Sequence, residues 1–173
     1  MPDGLEALFE KNIGTLAASL DRTMQNGLKE YELSKQSGQK GELSHVYISF
    51  LLSGVLCRLP WLRIDLYDEN DREDIIECFA DWNVPSISSE LYHDADILAE
   101  QAEQMEDYEL EKAMFDASEE YFIGFERFMP QIITQSSMAQ TVDCQWHFGQ
   151  FLGNTVTVRE KDKKTTSGMV FID

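Results

Sequence analysis

Two Glu-x-x-His pairs, Glu42/His45 and Glu90/His93, and a Cys144/His147 couple are where residue type and spacing come nearest to chemistry. On a helix the first spacing puts a carboxylate and an imidazole on one face, as di-iron carboxylate sites in helical bundles require. The context opposes that use. His45 leads into a strand-like run, and only 48 residues separate the two histidines, with Pro60 and Pro85 between them, too few for two further bundle helices. With 18 glutamates and three histidines such pairs also arise by chance. In Asp143-Cys144-Gln145-Trp146-His147-Phe148 a thiolate-imidazole nucleophile is conceivable. Asp143 is too near in sequence to orient the imidazole, and Trp146, Phe148 and Phe151 favour burial of the thiol instead.

The run Asp65, Asp68, Glu69, Asn70, Asp71, Glu73, Asp74 has oxygens enough for calcium. It departs from the EF-hand pattern, because Arg72 stands where a ligand is required and the glycine of the sharp loop is missing. The chain also has no phosphate-cradling glycine loop, no HExxH, no CxxC pair and no G-x-S-x-G elbow. The sequence therefore assigns no catalytic residue, metal or cofactor. A rival reading keeps a small metal-dependent or hydrolytic enzyme using carboxylates of residues 65–120, with His93 as ligand or base.

The strongest signal is charge. Of 32 acidic residues, 20 lie between Asp65 and Glu120 against Arg72 and Lys112 alone, so the net charge of −18 belongs to that block and the other 117 residues are neutral. Such a field argues against nucleic-acid and anionic-membrane partners, whose attraction needs cations. The four-residue spacings Asp96/Glu100, Glu103/Asp107 and Asp107/Glu111 place like charges together, each pair destabilising a helix by roughly 0.2–0.5 kcal/mol. Stability alone does not select this pattern. It reads as a solvated face that keeps the protein soluble or, more sharply, as a docking surface for a basic protein segment. In the sharper reading Glu100, Glu103, Asp107 and Glu111 act electrostatically and Tyr108 adds apolar burial, in the manner of an immunity-type inhibitor or a small acidic chaperone. That comparison rests on charge and size, not on a motif.

A chain of 173 residues, 43% hydrophobic and 11% aromatic, fits one domain burying about 70% of the surface its unfolded form exposes. The N-terminus lacks the basic and apolar regions of a secretion signal, and the run Val46–Cys57 is about half the length a bilayer needs, so the expectation is a cytosolic protein. Cys57, Cys78 and Cys144, odd in number and far apart, suit reduced, buried thiols.

These residues must be positioned by a sequence of helix, two or three strands, helices and two strands. Leu5, Phe9, Ile13, Leu16, Leu20, Met24, Leu28 and Tyr31 form one apolar stripe, predicting a helix over 4–35 that stops at Ser37-Gly38-Gln39-Lys40-Gly41. Gly14 and Gly27 within it call for a close neighbour or a bend. His45–Phe50 and Trp61–Tyr67 alternate as strands, Asp68–Asp74 is a solvated connection, and 75–82 is strand or short helix. Ser86 or Ser88 caps a long acidic helix that breaks near Asp107–Glu111, and Pro130 marks a boundary before a short helix over 131–142. The apolar segment Tyr121–Met129 is a core helix or a face for a second copy of the chain. Thr155–Val158 and Met169–Ile172 pair as a C-terminal hairpin. The fold class is α+β: a single domain with a small, mainly antiparallel sheet of four or five strands.

Overall fold

A computed structural model describes residues 3–51, 54, 62–101 and 107–161. In chain order the elements are α1 (Asp3–Gln36), β1 (His45–Phe50), β2 (Leu62–Tyr67), a 3-10 turn (Asp71–Glu73), β3 (Phe79–Asp81), α2 (Pro85–Gln101), α3 (Asp107–Gln135), α4 (Ser137–Thr141), β4 (Gln145–Gln150) and β5 (Thr155–Arg159). The α+β expectation holds. The five strands run in the order β3-β2-β1-β4-β5, antiparallel except for the central β1/β4 pair, which is parallel.

Alternation divides the sheet into two chemically different faces. Val46, Ile48 and Phe50 of β1, Leu62, Ile64 and Leu66 of β2, and Trp146 and Phe148 of β4 enter the core. There they meet the α1 stripe and Phe125, Phe128, Met129, Ile132 and Ile133 of α3. The two long helices approach closely at Gly124, where an added Cβ would lie 2.3 Å from the Phe9 ring. That ring is edge-on to Phe125 and stacked on Phe128. Gly27 has the packing neighbour its helical position called for: a Cβ there would come within 3.2 Å of Leu66. Trp82, fully buried at the end of β3, donates to Ser19 of α1.

Several expectations need correction. Pro130 lies inside α3, which continues to Gln135. Its missing N–H costs about 3 kcal/mol, but Phe128, Met129, Ile132 and Ile133 are all buried on either side of it, at roughly 1.5–3 kcal/mol each. The helix over 131–142 is accordingly reduced to α4, whose N-cap is Ser136. Asp21 of α1 accepts from the Ser136 and Ser137 hydroxyls and from the backbone N–H groups of Ser137 and Met138, locking α4 to α1. Helix α2 starts at Pro85, ahead of the two serines expected to cap it, because proline already has the dihedral of a first helical residue. The acidic stretch is two helices, α2 ending at Gln101 and α3 beginning at Asp107. Residues 75–82 supply the short edge strand β3. Thr155–Arg159 forms β5 and pairs with β4; the Met169–Ile172 half of the expected C-terminal hairpin lies outside the described residues.

The most consequential correction concerns Asp68–Asp74: Glu69, Asn70, Arg72 and Glu73 are exposed as a solvated connection requires, but Asp68 and the Asp74 carboxylate are buried. The Lys40 ammonium, its side chain 0% exposed, pairs with Asp74, 4% exposed, donates to the Leu66 carbonyl, and lies 5.1 and 5.8 Å from the ring centres of Tyr31 and Tyr67. Beside it Asp68 accepts from the backbone N–H of Gly41 and Glu69 from that of Glu42. The absence of a side chain at Gly41 lets the Glu69 carboxylate lie against the backbone there; an added Cβ would displace it. One knot thus joins the end of α1 to the acidic turn after β2.

Removing one partner of a buried ion pair strands the other in a poor solvent. Lys40→Met should destabilise the fold by about 3–5 kcal/mol in urea unfolding, and adding Asp74→Leu should recover most of that loss.

Candidate functional site

The acidic block separates into two parts. Between Asp65 and Asp81 many of the carboxylates are held by the protein's own donors: Asp65 accepts from Arg63 at 2.7 Å, the exposed Glu77 lies 3.7 Å from the same guanidinium, Asp71 accepts from the Tyr47 hydroxyl, and Asp68, Glu69 and Asp74 belong to the Lys40 knot. Burial pushes the Asp65 carboxyl up, against the pull of Arg63. Burial acts the same way on Asp68, but hydrogen bonds from Gly41 and Asn70 outweigh it and hold the carboxyl below its usual range. Of the residues weighed for calcium, Asp65, Asp68, Glu69, Asp71 and Asp74 therefore each bond to the protein itself. Among the described residues no group of three or more His, Cys, Asp or Glu side chains is placed to hold a metal ion.

Between Glu90 and Glu120, Glu90, Asp94, Asp96, Glu100, Glu109, Glu111, Asp116 and Glu119 are exposed on α2 and α3, while Glu120 is half-buried. Of the residues singled out from sequence, Glu100 is exposed in the last turn of α2. Tyr108 and Glu111 are exposed in the first turns of α3, Asp107 opens that helix, and Glu103 lies outside the described residues. Exposed apolar side chains stand among these acids: Ile97 on α2, Phe115 and Ile123 on α3. In Tyr121–Met129, Tyr121, Phe125, Phe128 and Met129 are buried in the chain's own core, leaving Ile123 as the large apolar side chain exposed in that segment.

Beside this surface the first turns of α1 and the facing parts of α2 and α3 enclose a groove of about 800 Å³. Leu5, Leu8, Ile97, Ala117 and Tyr121 line it, with Glu90 and Asp94 from α2, Glu120 from α3 and Lys11 from α1. The Tyr121 hydroxyl donates to Asp94 at 2.6 Å, and burial together with that carboxylate raises the phenol's pKa so that it stays protonated. His93 is exposed on α2 and is not part of the groove wall; Glu90, three residues before it, is. The Glu42/His45 pair is not brought together: Glu42 bonds Lys35 at 2.6 Å, and His45 turns to another histidine.

That second histidine marks a cluster that sequence reasoning missed, on the sheet face opposite the helices. His147 stacks on Tyr47 with ring centres 4.3 Å apart, its Nε2 lies 3.3 Å from His45 Nδ1, and its Nδ1 lies 3.3 Å from Thr157 Oγ1. The Arg72 guanidinium sits 4.4 Å over the Tyr47 ring and donates to the Gly153 carbonyl and Thr155 hydroxyl, closing the 3-10 turn over this layer. Burial, then the neighbouring His45, lowers the His147 pKa; Asp71 and Glu160 oppose that and Arg72 adds to it. Cys144 lies on the core side, where burial pushes its thiol up to about 12, so the thiol is held protonated and is not paired with His147. The signal available in sequence was β4 itself. Inside a strand, 145 and 147 share a face and 146 and 148 the other.

No protein-family model, curated protein or solved structure matches this chain. Among the described residues no helix is long and apolar enough to cross a membrane.

Because His147 resists protonation in the fold, the unfolded chain binds more protons than the native one below the ordinary imidazole pKa, and this group removes stability as pH falls through about 6.5. His147→Phe keeps a ring against Tyr47 but cannot charge. Between pH 7.5 and 5 the wild type should lose stability relative to this variant in parallel denaturant titrations; identical pH slopes would show that the layer is electrostatically silent.

Proposed function

We propose that the chain is a cytosolic, non-enzymatic interaction module whose acidic helical face, carried by α2 and α3, receives a basic segment of a protein partner, as an immunity-type inhibitor or a small acidic chaperone would. The reading is carried by the mixture on those two helices: Glu100 and Glu111 are exposed, and among the acids Ile97 is 40%, Phe115 44% and Tyr108 63% exposed. Charge of one sign speeds and selects encounter, while apolar anchors, aromatic ones above all, supply the burial that holds a complex. A surface shaped only for solubility has no need of exposed aromatic side chains among its charges. The carboxylates of Asp65, Asp68, Glu69 and Asp74, engaged by Lys40, Arg63 and backbone N–H groups, favour docking over carboxylate chemistry.

Replacing Glu100, Glu103, Asp107 and Glu111 with glutamine relieves the like-charge pairs Asp96/Glu100 and Asp107/Glu111 but removes anions that the dipole favours in the first turns of α3, so thermal stability should change by no more than a few degrees. The same variant should lose basic proteins that the wild type captures from lysate at low ionic strength and releases at high. Unchanged capture would leave these acids as a solubility device and remove the docking reading.

A further inference from the structure

We propose that the groove between α1, α2 and α3 is the seat of an amphipathic helix from the partner, with lysine or arginine along the edge that lies against α2. This rests on the acidic docking reading above and gives it a site. Three observations lead to it. First, the groove is walled by three helices and lined by Leu5, Leu8, Ile97 and Tyr121, so it accepts an apolar stripe, and a trough between helices fits another helix by ridges into grooves. Its volume of about 800 Å³ lies within the range of built binding sites.

Second, its charge is lopsided. Helix α2 contributes Glu90 and Asp94 to the lining and carries Asp96 and Glu100 beyond them, with no lysine or arginine from Pro85 to Gln101. Helix α3 adds Glu120, and the cation of the lining is Lys11, on the α1 side. An occupant must therefore bring positive charge to the side of α2, with Glu120 of α3 adjoining, and keep it away from α1, which fixes the direction in which a helix faces. Third, Asp94 is held by the Tyr121 hydroxyl at 2.6 Å, so one carboxylate of the wall is oriented before anything binds.

The test uses the full chain and a fluorescein-labelled peptide of about 18 residues. Its leucines recur at helical spacing, with lysines along one flank; the control has the same composition scrambled so that no stripe forms. In anisotropy titrations the striped peptide should bind roughly tenfold tighter than the scramble. Two variants should abolish that advantage: Ile97→Lys, which places a cation on the wall at a part-exposed position, and Ala117→Met, which fills the groove without changing charge. Equal binding of the two peptides, or an advantage that survives both variants, would overturn the groove as the seat. If both peptides still bind in a salt-dependent way, the acidic surface stands without it. If neither peptide binds at low ionic strength, the docking reading fails as well.

Discussion

The buried pair of Lys40 and Asp74 is the constraint on which the rest of the molecule is arranged. An ammonium and a carboxylate removed from water each carry a desolvation penalty of several kcal/mol, which their attraction offsets only when the remaining donors and lone pairs also find partners. Here the Leu66 carbonyl and the faces of Tyr31 and Tyr67 complete the shell of the cation. Asp68 and Glu69, bonded to Gly41 and Glu42, hold the adjoining turn in place. The turn so fixed carries Asp71 and Arg72 across the outer sheet face, where they engage Tyr47 and the β4–β5 turn. The arrangement of His45, Tyr47 and His147 thus depends on a contact made at the far side of the same turn.

A formal charge that looks like one block in the sequence is two physical objects in the fold. Asp65, Asp68, Glu69, Asp71 and Asp74 accept from the protein's own donors, and Lys40 and Arg63 offset part of the charge of residues 65–77. Residues 90–120 hold twelve acids against Lys112 and project many of them from two helices. The outer potential of the molecule comes chiefly from the second group, which is why the candidate surface is confined to α2, α3 and the groove they share with α1.

The elements most legible in sequence are those whose burial follows one simple period. The α1 stripe from Leu5 to Tyr31 fixes its helix to within a residue at each end, and the alternation in Leu62–Tyr67 correctly assigns Leu62, Ile64 and Leu66 to the core. Strand β4 was hidden because its two faces are both buried: Trp146 and Phe148 in the core, His147 beneath the Arg72 layer, so polarity does not alternate along it. Pro130 misled because a local backbone preference was outweighed by four buried neighbours. Lys40 was illegible for a different reason. It stands in a glycine-rich polar run that reads as a helix stop, and only the chain's return at Asp74, 34 residues later, supplies the counter-charge that lets it be buried.

The parallel pairing of β1 with β4 has a consequence for how the chain is made. Its partners are separated by about a hundred residues, so during synthesis β1 and β2 leave the ribosome long before the strand that completes the sheet. Through that interval one rim of β1 has no native neighbour, the condition under which nascent strands join to one another. The residues emerging in between include the most anionic part of the molecule, and mutual repulsion among incomplete chains keeps their open rims apart until Gln145–Gln150 arrives.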